Sequence, residues 1–316
     1  MIVARGTAQI LRTVARDTNS RPGHGRRRTP EGWPEASRAA ASVPGVDEDG
    51  GRTSAEDGAG ASGAGPALKL VGLVKRFGGR AVVDGVDLLV PAGSVTGLVG
   101  PNGAGKTTTL SMATGLLRPD AGTARVLGHD VWADPVGAKR LLGVLPDGMR
   151  LFDRLSGREL VRTTGELHGL ARAVARERAE ELLDVLGLTA AGDELVVDYS
   201  AGMAKKAALA CSLVHAPRLL VLDEPFEAVD PLSGASIRGL LGDFVAGGGT
   251  VVLSSHVMEL VERLCDRVAV VAGGRVLAAG TLEEVRDGRT LEERFVELAG
   301  GGERGSGEGL AWLRRS

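Results

Sequence analysis

Residues 100–107 read Gly-Pro-Asn-Gly-Ala-Gly-Lys-Thr, directly after the apolar run Ser94–Val99. This is the pattern G-x-x-x-x-G-K-[ST] in the setting it requires, a buried strand before it and a helix after it. Such a unit is built to hold phosphate. The stretch Gly100, Pro101, Asn102, Gly103, Ala104 and Gly105 lets the backbone curl until its N–H groups face an anion. The helix that follows adds the positive end of its dipole. Lys106 is placed to reach β- and γ-phosphates, and the hydroxyl of Thr107 to ligate Mg²⁺. Thr108 completes the expected nucleotide-binding set.

A second run, Leu219-Leu220-Val221-Leu222, ends in Asp223-Glu224-Pro225. Four consecutive apolar residues predict a strand buried on both faces. Its carboxyl end is where ligands bind in open α/β sheets. There Asp223 can hold Mg²⁺ through water, and Glu224 can polarise an attacking water as general base.

The rest of the chain organises around these two runs. Leu68–Val74 and Val82–Val90 read as strands flanking a turn at Gly78–Gly79. A helix is expected from about Gly105 to Leu117, a helical stretch from Ser156 to Leu188, and helices over Ala201–His215 and Pro231–Ala246. Strands at Arg218–Asp223, Thr250–Ser254 and Val268–Val271, a helix over Val257–Leu264 and a last one over Leu291–Ala299 complete the reading. Strands alternating with helices predict a mainly parallel sheet. Residues 1–66 hold few aliphatic side chains, and Trp33 is their one aromatic. They bury too little apolar surface to offset ordering, so a disordered tail is expected. A flexible linker is expected after Gly300.

Composition removes several classes. The 38 Lys and Arg against 40 Asp and Glu leave a charge of −2, so no nucleic-acid partner is expected. The two cysteines, Cys211 and Cys265, exclude a disulfide scaffold and suit buried thiols in a reducing cytoplasm. No apolar run approaches the roughly 18 residues of a membrane span, so any membrane role must pass through a partner.

From about Leu68 to Arg286 the chain resembles the ATP-binding subunit of a bacterial ABC transporter, of the exporter-like subgroup. Beyond the phosphate loop, Tyr199-Ser200-Ala201-Gly202-Met203 stands where that family has its signature, Leu-Ser-Gly-Gly-Gln. Glu227-Ala228-Val229-Asp230 resembles the D-loop, His256 the switch histidine, and Phe77 the aromatic that stacks on adenine. The resemblance implies a P-loop NTPase with an ABC-type core sheet, a helical subdomain at about 148–215 and a small antiparallel β subdomain. The ATP-binding domain would occupy 67–288, and a C-terminal helix and tail 289–316. It implies a cytoplasmic ATPase on the inner face of the cell membrane, driving a separate permease. Two copies would close head to tail over ATP and Mg²⁺, Ser200 and Gly202 of one facing the phosphate loop of the other. Ser200 is also a favoured helix N-cap, and its hydroxyl with free N–H groups makes an anion site.

The chain departs from the family at several positions. Ala201 replaces a Gly and Met203 a Gln, and Ala201 is strained if its φ must be positive. The family's Q-loop Gln is replaced by Asp147, which can ligate the metal or repel the γ-phosphate. The form Tyr-Ser-x-Gly-Met and the segment Thr290–Phe295 resemble exporter-type members. The alternatives are a soluble ATPase of the same fold acting on a ribosome or DNA, and a nucleotide-binding regulatory subunit with little turnover.

Overall fold

The computed structural model describes residues 65–300, so the tails expected at 1–66 and after Gly300 lie almost wholly outside the described residues. The first strands are β1 (Leu68–Phe77) and β2 (Arg80–Val90), an antiparallel hairpin closed by Gly78 and Gly79. Two left-handed residues are what a two-residue hairpin turn demands, with φ of 54° and 83° here. Next come β3 (Val95–Val99), the phosphate loop and α1 (Lys106–Ala113). They are followed by β4 (Ala121–Val126), β5 (His129–Asp130), α2 (Pro135–Arg140) and β6 (Leu142–Leu145).

Three helices then precede the next strand: α3 (Gly157–Leu167), α4 (Arg172–Val185) and α5 (Ala201–Leu213). The chain returns through β7 (Leu219–Leu222), α6 (Pro231–Ala246), β8 (Thr250–Ser255), α7 (Met258–Leu264) and β9 (Arg267–Ala272). It closes with β10 (Arg275–Thr281), α8 (Leu282–Arg286) and α9 (Leu291–Leu298).

The strands form two sheets. One is antiparallel, in the order β2-β1-β4-β5. The other runs β10-β9-β3-β8-β7-β6, parallel except for β10 at its edge. A mainly parallel sheet, a helical part and a small antiparallel β part are the α/β arrangement that the resemblance implies. The parallel sheet is covered on both faces, which is why its strands read as unbroken apolar runs. In β7, Leu219 and Val221 join Leu68, Leu98 and Leu110 on the side of the antiparallel sheet. Leu220 and Leu222 face Leu160, Leu183 and Leu209 on the side of the helices. Cys211 and Cys265 are buried free thiols, with burial pushing them up to about 11 and about 12.

One helix expectation is corrected and one is refined. The helix drawn from Gly105 to Leu117 stops at Ala113, where Thr114 caps it and Gly115 turns left-handed at φ 73°. The stretch Ser156–Leu188 is two helices, because Gly169 at φ 89° breaks it after the His168 cap. Strands β4, β5 and β10 and helices α2 and α8 add to the expected elements. In β4 only Ala124 and Val126 are buried, too short an apolar signal to stand out from a loop.

Candidate nucleotide site

The loop after β3 has its shape because two glycines are packed against backbone. A Cβ on Gly100 would lie 2.1 Å from the carbonyl oxygen of Val271. One on Gly105, at φ 102°, would lie 2.6 Å from that of Val82. No other residue fits either place. Gly105 also opens α1 without any side-chain cap, so the helix's first N–H groups stay directed into the loop.

The loop, the ends of β6, β7 and β8 and the β1–β2 hairpin enclose a cleft of about 300 Å³. Asn102, Gly103, Ala104, Gly105, Lys106, Thr107 and Thr108 line one wall; Asp147, Glu224, Glu227 and His256 line the other. Lys106 is buried at 6% exposure, and its Nζ donates to the carbonyls of Gly100 at 2.8 Å and Pro101 at 3.3 Å. It lies 3.5 Å from Glu224 Oε1.

Glu224 follows β7 in a left-handed conformation, φ 46°. A non-glycine residue takes that conformation at a cost, and such positions gather at functional sites. Its Oε2 is 3.1 Å from His256 Nδ1. Asp223 is 4% exposed and lies behind the cleft wall; its N–H donates to Leu145 O at 2.8 Å, and its Oδ1 accepts from Ser254 Oγ at 2.5 Å.

The donor set suits Mg²⁺, a hard cation that prefers oxygen and retains water. Thr107 offers a hydroxyl and Asp147 a carboxylate in the cleft lining, and Asp223 has a buried carboxylate just behind it. Among the described residues, no group of three or more His, Cys, Asp or Glu could hold a metal unaided.

Phe77, Ser200 and Gly202 also stand apart from the cleft. Phe77 is half exposed at the end of β1, with Lys75 Nζ 5.8 Å from its ring centroid. It is Val82, across the same hairpin, that lines the cleft. Ser200 and Gly202 stand at the start of α5, outside the cleft lining. Ser200 Oγ accepts from the N–H of Met203 at 3.2 Å, so it is an N-cap as expected. Ala201 is absent from the positive-φ residues, so this Gly-to-Ala departure carries no backbone strain.

Sequence reasoning passed over Val82, Glu227 as a cleft residue, and Ser254. From the sequence, Glu227 is visible only as part of the D-loop-like run Glu227–Asp230. Val82 and Ser254 carry no local signal, since their role comes from elements distant in the chain.

Comparison with known proteins gives a consistent result. The ABC transporter family profile matches residues 83–227. The daunorubicin/doxorubicin resistance ATP-binding protein DrrA of Streptomyces peucetius is 44% identical over 220 residues, 70% of this chain and 67% of that protein. The Nod factor export ATP-binding protein I of Ralstonia nicotianae is 39% identical over 223 residues, 71% of this chain and 70% of that one. A solved ATP-binding subunit of an ABC transporter superposes with a TM-score of 0.69 at 30% identity, covering 74% of this chain and 99% of its own. The cbiO1 protein of Clostridium perfringens, part of the ABC transporter complex cbiONQ, gives 0.62 at 27% identity, covering 74% and 95%.

Proposed function

The chain belongs to the ABC transporter family as an ATP-binding subunit, and from that premise we propose what its cleft and its surroundings do. It is an ATP-hydrolysing subunit that powers a separate membrane permease. We propose that the traffic is outward, since relatives are named for drug resistance and for Nod factor export.

Glu224 is the general base. The observation that carries this is its place in the cleft, 3.5 Å from Lys106 and 3.1 Å from His256, at the end of a buried strand. Lys106 and the loop N–H groups bind and orient the β- and γ-phosphates. Glu224 takes the proton of the attacking water, and His256 holds the Glu224 carboxylate and faces the γ-phosphate. Thr107 and Asp223 hold Mg²⁺, with Asp147 as a further ligand. When bound, Mg²⁺ neutralises charge that develops on the phosphates.

Ser200 and Gly202 serve a second copy of the chain. They lie outside their own cleft, so a head-to-tail homodimer is the arrangement that brings them to ATP. Phe77 stacks on adenine at the cleft's rim, where its ring is exposed enough to do so. No helix among the described residues is long and apolar enough to cross a membrane. Attachment to the inner face of the cell membrane is therefore proposed to pass through the permease.

The test is hydrolysis of Mg-ATP by the purified full chain, with Glu224→Gln alongside. Turnover that disappears in the variant while ATP binding persists supports the reading. A wild-type chain that binds no ATP overturns it.

A further inference from the structure

Ser254 is fully buried on β8, two residues before His256. Strands β7 and β8 are paired so that Leu222 faces Leu253. Ser254 therefore falls one step past the last pair, beside the point where β7 gives way to Asp223 and Glu224. Its hydroxyl is used twice. Oγ donates to Asp223 Oδ1 at 2.5 Å, and it accepts from the backbone N–H of Glu224 at 2.9 Å. A hydroxyl can donate and accept at once, whereas an alanine there could do neither.

Both contacts fall on groups that need outside support. Glu224 has a left-handed backbone, φ 46°, and the bond to its N–H ties down one end of that strained peptide. The carboxylate of Asp223 is buried, and the bond to one oxygen sets which way the other faces. The strand that leads to His256 thus grips the two carboxylates that follow the neighbouring strand.

We infer that Ser254 is a positioning residue for ATP hydrolysis: it holds the metal-side carboxylate Asp223 and the base Glu224 in register with His256. This rests on the site reading given under Proposed function. Ser254 is fully buried outside the cleft lining and acts only through Asp223 and Glu224.

The experiment uses the purified full chain with Ser254→Ala and Ser254→Thr, the second keeping the hydroxyl on a strand-favouring residue. Two readouts are taken: steady-state ATPase resolved into kcat and KM, and the Mg²⁺ concentration that half-saturates ATP binding. Ser254→Ala is expected to lower kcat at least about tenfold with KM changed less than about threefold. It is expected to raise the Mg²⁺ requirement about fivefold or more while leaving ATP affinity in EDTA unchanged. Ser254→Thr is expected to recover both readouts to within about threefold of wild type.

A kcat and a Mg²⁺ requirement in Ser254→Ala both within twofold of wild type would overturn the assignment. A matched loss of kcat, KM and EDTA affinity in both variants would also overturn it, since a merely structural serine predicts that. A wild-type chain that binds but does not hydrolyse ATP counts against the general-base reading instead. The Mg²⁺ titration then decides Ser254 alone, and an unchanged requirement in Ser254→Ala overturns its role.

Discussion

Glu224 Oε2 lies 3.1 Å from His256 Nδ1, so the second residue after β7 and the first after β8 meet on one wall of the cleft. The other oxygen of the same carboxylate is 3.5 Å from Lys106 Nζ. One carboxylate thus links the phosphate loop to the switch strand, and its removal should separate binding from chemistry.

Glu224→Gln keeps the shape of the side chain but cannot take a proton from water. ATPase should fall by at least about a hundredfold, the span expected of a general base, with ATP affinity nearly unchanged. If the closed state is a homodimer that hydrolysis opens, this variant should run as a monomer alone and as a dimer with Mg-ATP. Size exclusion with light scattering reads this directly. Adding Ser200→Arg should abolish the dimer, because a bulky cation at the start of α5 blocks the anion site offered to the other copy.

Lys106→Ala removes the buried ammonium that the carbonyls of Gly100 and Pro101 hold over the loop. ATP binding should weaken at least about tenfold, or about 1.4 kcal/mol. Calorimetry giving equal affinities for wild type and variant would remove Lys106 from the phosphate site.

Asp147 lines the cleft with Glu224 and Glu227, three carboxylates facing one anion site. Asp147→Gln should raise the Mg²⁺ needed for half-maximal ATPase several-fold, because a metal ligand is lost. It should also strengthen ATP binding in EDTA at low salt, because one like charge is removed. A Mg²⁺ requirement that stays constant would leave Asp147 as a repelling charge and no ligand.

His215 stacks on His168 with ring centroids 3.8 Å apart, and its Nε2 is 3.1 Å from the carbonyl of Leu142. Burial, then the charge of His168, holds it down at about 4, and burial also lowers His168. An unfolded histidine titrates near 6.5, so between about pH 6.5 and pH 4 the unfolded chain binds more protons than the folded one. Stability is therefore full above about pH 6.5 and falls as pH drops toward 4. The loss at pH 5 should be roughly 2 kcal/mol. His215→Phe, which keeps the stack, should flatten the fall in melting temperature between pH 7 and 5. An equally steep fall in the variant would place the acid sensitivity elsewhere.

The parts legible in the chain were those whose chemistry is consecutive. The phosphate loop needs its glycines, Lys106 and Thr107 in one short run, because a single turn of backbone surrounds the phosphates. Leu219 to Leu222 announce a strand covered on both faces, and Asp223 and Glu224 follow at its ligand-binding end. Pro231–Ala246 was readable to the residue, because Asp230 caps its start and Pro231 fits the first helical position.

Tertiary structure decided what depends on residues far apart in the chain. Gly105 must be glycine because Val82 from the hairpin comes within contact distance of it, a clash that no local pattern encodes. Asp147, Glu227 and His256 reach one cleft only because β6, β7 and β8 lie side by side in parallel. Ser254 looks like an ordinary strand residue until the register of β7 on β8 sets its hydroxyl between Asp223 and Glu224. The weakly apolar strand β4 exists because β1 offers it an edge to pair with, a long-range pairing, and β5 then pairs with β4.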